Sequence, residues 1–131
     1  MEKELVIKIL RYYKDIDKYI QHLKRMIQDN IIKHKIMPEH ICEEQKEYAE
    51  RINSLIHLKK EIRNELNLLE PKLNIIVSEH YIRNRQWVQI GMNIHYSVSG
   101  CKRLKNKALK ILGERFESNL YIKKYYSQIQ L

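Results

Sequence analysis

Apolar side chains return at alternating four- and three-residue steps through Ile9, Tyr13, Ile16, Ile20, Leu23 and Ile27. That spacing places them on one face of a helix with 3.6 residues per turn, and it is incompatible with the two-residue alternation of a strand. It predicts a helix from about Glu2 to about Lys35. Pro38 interrupts, and Met37 before it is biased away from helical angles. A second seam follows in Tyr48, Ile52, Leu55, Ile62, Leu66 and Leu69, with Leu58 beside the polar Lys59. Two such helices joined around Pro38 make an antiparallel hairpin with coiled-coil character. Asn30 and His34 on the first seam, with Gln45 and Lys59 on the second, are polar interruptions of the kind that set register or oligomer state.

Punctuation elsewhere is equally sparse. The 131 residues include three glycines, two prolines and no threonine. A β-sandwich, a barrel or a phosphate-cradling Gly-rich fold needs more turn residues than that. The expected fold class is therefore all-α. No run of about 18 apolar residues marks a membrane span, and the charged start Met1-Glu2-Lys3-Glu4 lacks the apolar block of a signal peptide. Cys42 and Cys101 form neither a disulfide framework nor a zinc half-site, so a reducing cytoplasm is the expected setting. His22, His34, His40 and His57 lack metal-ligand spacing, and no HExxH occurs. No nucleophile–base pair or paired carboxylates appear, so no enzymatic activity, cofactor, metal or small-molecule substrate is expected.

The net charge of +9 is unevenly placed. Residues 1–70 hold 14 basic and 13 acidic side chains, whereas residues 71–131 hold 11 basic and 3 acidic ones. The first part reads as a solvated scaffold, and the second as a surface for a polyanion.

Within the basic part, Leu69-Glu70-Pro71 opens a helix, since proline lacks an N–H that the first turn would leave unpaired anyway. Leu73, Ile76, Val77, His80 and Tyr81 continue it, and Arg83-Asn84 ends it, asparagine tolerating the left-handed cap. From Gln86 to Cys101 no residue carries a formal charge. Trp87, Val88, Ile90 and Gly91 start a short helix, the stretch from Asn93 to Tyr96 turns, and Ser97 caps the next helix. Val98, Cys101, Leu104, Ala108, Leu109 and Leu112 form its apolar stripe, and Gly113 is expected to terminate it. Its other face carries Ser99, Lys102, Arg103, Lys105, Asn106, Lys107 and Lys110. Short helix, brief turn and longer basic helix make the helix-turn-helix pattern, with Gly91 where the two helices approach. Arg103 suits guanine and Asn106 suits adenine, while Lys105, Lys107 and Lys110 suit phosphates. Arg83 and Arg85 flank the module as candidate phosphate contacts. The tail after Glu117 reads as a short helix docking through Phe116, Leu120 and Tyr121, or as a basic-aromatic arm.

Residues 69–112 resemble the region 4 helix-turn-helix of sigma factors. The match rests on Leu69-x-Pro71, an apolar helix reaching Tyr81, then Trp87-x-x-Ile90-Gly91, Ser97, and the basic helix with Ala108-Leu109-x-x-Leu112. The turn glycine common in that module is replaced around His95. A charged helical part followed by such a module is similar to phage late-gene transcriptional regulators of the RinA/ArpU type. The resemblance implies Ile90, Ile94, Cys101 and Leu104 as core. It implies Ser97 as cap and Val98, Ser99, Gly100, Lys102, Arg103 and Asn106 as the groove-facing set. The expected organisation is a helical hairpin over 1–68, a DNA-binding module over 69–116, and a C-terminal helix or arm over 117–131. Double-stranded DNA is the expected partner, with homodimerisation through the N-terminal helices and RNA polymerase as a second partner. A small terminase-like DNA-packaging subunit, or a helical module binding a host factor, are the competing readings.

Overall fold

The computed structural model describes residues 1–35 and 41–129; every regular element among them is helical. The expected turn around Pro38, and His40, lie outside the described residues. In chain order the helices are α1 (Lys3–His34), α2 (Ile41–Asn67), α3 (Pro71–Val77), α4 (Trp87–Ile94), α5 (Val98–Ser118) and α6 (Leu120–Ile129). A π-helical turn, Ser78–Ile82, follows α3 directly. No helix among the described residues is long and apolar enough to cross a membrane.

Two compact units emerge, one of residues Asp15–Lys59 and one combining Met1–Lys14 with Lys60–Leu131. The division falls within both long helices, whereas the sequence places a boundary at residue 68. The start of α1 and the end of α2 bury Val6, Ile9, Leu10, Ile62 and Leu66, and Leu69 just beyond α2 is buried as well. Polar side chains at the end of α2 reach the C-terminal part: Arg115 lies 3.5 Å from Glu65, and Asn119 donates to Glu61 and Glu65 at 3.1 Å each.

In the Asp15–Lys59 unit, the two expected seams are the buried faces, with Ile16, Ile20, Leu23, Ile52, Leu55 and Leu58 inside. Leu58 takes the seam position, which frees Lys59 to swing out and pair with Asp17 at 2.7 Å. Asn30, the one polar side chain buried among the described residues, donates to Glu44 at 3.3 Å. Asp17 beside Lys59 and Asn30 beside Glu44 mean that one helix is read upward as the other is read downward, which is antiparallel pairing. The exposed flanks carry Tyr19, Ile31, Ile32 and Ile56.

The larger unit is organised around α5, which packs against α3, α4 and α6. Its buried side chains are Cys101, Ala108, Leu109, Leu112 and Phe116. The helix does not stop at Gly113. It continues to Ser118, and Gly113 is buried at a close approach, where a Cβ would lie 2.8 Å from the Met1 carbonyl oxygen. Asn119 ends α5 and begins α6: its Oδ1 accepts from the Ile122 N–H at 3.2 Å. Among the described side chains of α6, Ile122 and Tyr126 pack inside, while Leu120 is 79% exposed. The tail therefore docks as a helix, but through a face roughly opposite Leu120, since Ile122 is two positions on, about 200° round the helix.

Candidate nucleic-acid interface

The part from Pro71 to Ser118 is built by a sequence of local stops. α3 passes into the π turn, in which the Arg83 N–H donates to the Ser78 carbonyl at 3.0 Å, five residues back. Asn84 then takes a left-handed conformation, φ 58°, and breaks the helix where the sequence places the stop. α4 ends at His95, also left-handed at φ 61°, with the Tyr96 N–H donating to the Gly91 carbonyl at 2.9 Å. Glycine normally holds such a position; histidine there costs about 1 kcal/mol. Ser97 caps α5, its Oγ accepting from the Gly100 N–H at 3.0 Å.

Gly91 is required for a different contact from the one its position suggests. A Cβ on it would run into the Tyr96 carbonyl oxygen, with the Cys101 Sγ next at 3.5 Å. The close approach is to the turn backbone first and to α5 second. Beneath the turn, Ile76, Ile90 and Cys101 are buried, with Trp87, Ile94 and Leu104 packed around them. Ile90 and Cys101 thus sit at the centre of the core, and Ile94 and Leu104 at its edge. Trp87 is only half-buried. The His80 ring stacks on it at a centroid distance of 3.8 Å and an interplanar angle of 17°. The Lys105 ammonium lies 5.8 Å from its centroid. His80 also faces the Arg85 carbonyl through Nδ1 at 2.9 Å, where the ring nitrogen is the donor.

The solvent face of α5 is regular. Ser99, Arg103, Asn106 and Lys110 follow one another at four-, three- and four-residue steps, all exposed, and so form a single line along the helix. Lys102 and the half-buried Lys105 flank that line on one side, and the exposed Lys107 on the other. No acidic residue enters α5 before Glu114. Ser97 and Val98 are exposed at the start of this face. Gly100 is not part of it: it is buried, and the Tyr96 ring lies 3.3 Å from where its Cβ would be. The expected groove-facing role of Gly100 is therefore corrected to a packing one.

Arg83 and Arg85 also differ from simple loop cations. Both converge on Glu79, Arg83 at 2.5 Å and Arg85 at 2.9 Å. The Arg85 contact is an ion pair without hydrogen-bond alignment, since Glu79 Oε2 has no hydrogen-bond partner. The single carboxylate offsets one of the two charges, and both guanidiniums keep about half or more of their surface in solvent. Burial raises the neighbouring Tyr81 phenol above its ordinary value, with Arg11 pulling the other way. Spacing does not announce one further pair: Lys72 Nζ donates to the Tyr96 hydroxyl at 2.6 Å. Among the described residues no group of three His, Cys, Asp or Glu side chains is placed to hold a metal ion.

Comparison of the chain with protein-family models, with curated proteins and with solved structures finds no match.

Proposed function

We propose that the chain is a sequence-specific regulator of transcription that binds double-stranded DNA by inserting α5 into the major groove. The observation that carries this reading is the α5 face. A capped helix presents an exposed line of Ser99, Arg103, Asn106 and Lys110, flanked on both sides by lysines and free of acid before Glu114. A helix lying in a major groove has bases beneath its centre and a phosphate strand along each edge. Groups able to discriminate bases, Arg103 and Asn106, lie on the central line. Lys102, Lys105 and Lys107 lie at the edges, where charge adds affinity without sequence information. The resemblance to sigma region 4 points the same way and extends the reading to a phage late-gene regulator that also meets RNA polymerase. Exposed Ile31, Ile32 and Ile56 give the Asp15–Lys59 unit apolar surface for pairing two copies.

An electrophoretic shift on duplex fragments of the genome encoding the chain tests the reading. Binding should weaken steeply with salt, with a log–log slope of roughly −4 if the lysines of α5, Lys102, Lys105, Lys107 and Lys110, each meet one phosphate. Arg103→Ala combined with Asn106→Ala should remove the preference among fragments while leaving salt-dependent association. Absence of any duplex affinity at low salt overturns the reading.

A further inference from the structure

The cations around α5 fall into two kinds. Arg83 and Arg85 are both held by one carboxylate, Glu79, which offsets one of their two charges. Lys72 is held by a neutral partner. Its ammonium donates to the Tyr96 hydroxyl at 2.6 Å and stands 4.8 Å from the centroid of the same ring. A phenol oxygen orients an ammonium without cancelling it, which leaves the full charge for an external anion. Lys105 also stands beside a neutral ring, 5.8 Å from the Trp87 centroid.

The position of the Lys72 ammonium follows from Gly100. Because Gly100 has no Cβ, the Tyr96 ring can lie against the first turn of α5. Gly100 and Lys107 are seven residues apart and lie on the same side of the helix, about 10 Å apart along its axis. Tyr96 thus sets Lys72 at the head of the edge on which Lys107 stands. The opposite edge carries Lys102 and Lys105. The exposure of Lys72 and the partial exposure of Tyr96 keep the pair open to solvent.

We propose that Lys72 is a DNA-phosphate-binding residue on the Lys107 edge of α5, and that Tyr96 is the positioning residue that aims it. The inference rests on the DNA-binding reading above. It adds a cation from a different helix, α3, and gives buried Gly100 and the Tyr96 hydroxyl their role. Lys72 so placed reaches the strand that flanks one side of the groove, as Lys105 does on the other.

The test is a fluorescence-anisotropy titration of the full chain against a labelled mixed-sequence duplex about two helical turns long, repeated across a salt series. Lys72→Met should reduce the magnitude of the log–log salt slope by about 0.9 and weaken binding about 5-fold at low salt, equally on every sequence. Lys72→Arg should restore the slope. Tyr96→Phe keeps the charge and the ring but loses the hydroxyl. It should leave the slope unchanged while weakening binding about 3-fold, because the ammonium must then be ordered on binding. A slope that Lys72→Met leaves unchanged overturns the inference while the DNA reading stands. Unaltered affinity in Tyr96→Phe overturns the positioning role. Failure of the unaltered chain to bind the duplex at any salt overturns both readings together.

Discussion

The Asp15–Lys59 unit and the Pro71–Ser118 segment are both helical, yet they are specified in opposite ways. In the first, order is distributed: six apolar side chains repeat one role, and each has a neighbour one turn away that does the same. Charge is distributed too, with acids and bases interleaved and Lys59 paired to Asp17 across the helices. In the second, single atoms decide. Gly91 exists because of one carbonyl oxygen, Ser97 because of one N–H, and the left-handed His95 because the chain must reverse within a few residues. Its charge is segregated onto one face of α5. A periodic seam builds a scaffold that tolerates change, whereas a reading surface needs residues that cannot be exchanged for one another.

That contrast can be broken most readily at Gly91. Gly91→Ala should lower stability by about 3 kcal/mol, because the new methyl meets backbone that cannot rotate away; thermal or urea melting measures it. A loss below about 1 kcal/mol would show the turn to be as forgiving as the seam. Next in size, reversing Arg103 and Lys107 to Glu should weaken duplex binding about 100-fold without shifting the melting temperature much. The same reversals at Lys24 and Lys33, exposed on α1, should leave duplex binding nearly unchanged.

Ser97→Ala removes the cap of α5 and should cost about 1 kcal/mol in chemical denaturation. His95→Gly should do the reverse and raise stability by about 0.5–1 kcal/mol, since glycine enters the left-handed region without a Cβ clash. Smallest of all, Ile20→Leu in the seam should cost under about 1 kcal/mol by the same assay, the volume being kept and the neighbours repacking. A larger loss there would mean that the scaffold, too, depends on individual shapes.

The same contrast explains what could be read before the structure. The seams gave both long helices because periodicity is a local property repeated many times. Pro71, Asn84 and Ser97 were legible because each acts on backbone within a few residues of itself. Gly113 was not: its meaning depends on the Met1 backbone, 112 positions away, and alone it looks like a helix stop. Leu120, which the spacing puts on the docking face, is exposed because Asn119 restarts the helix and resets the count, leaving Ile122 and Tyr126 to pack. At the interface, the basic face of α5 followed from its own spacing. The Lys72–Tyr96 contact needed the packing of separate elements, and the Arg85–Glu79 pair needed the fold of the loop after the π turn, whereas Glu79 and Arg83 stand at the ordinary four-residue helical spacing.

The π turn between Ser78 and Ile82 is, in geometrical terms, a regular helix holding one residue too many. Deleting a single residue there is the one shortening this stretch can absorb by becoming ordinary α-helix. Chains descended from a common ancestor with this one should therefore differ in length at this spot more readily than on either side. Those lacking the extra residue would carry the position of Glu79 rotated by about 100°, releasing its hold on the arginines. The insertion is where the lineage of this module can be expected to show in an alignment as a one-residue gap.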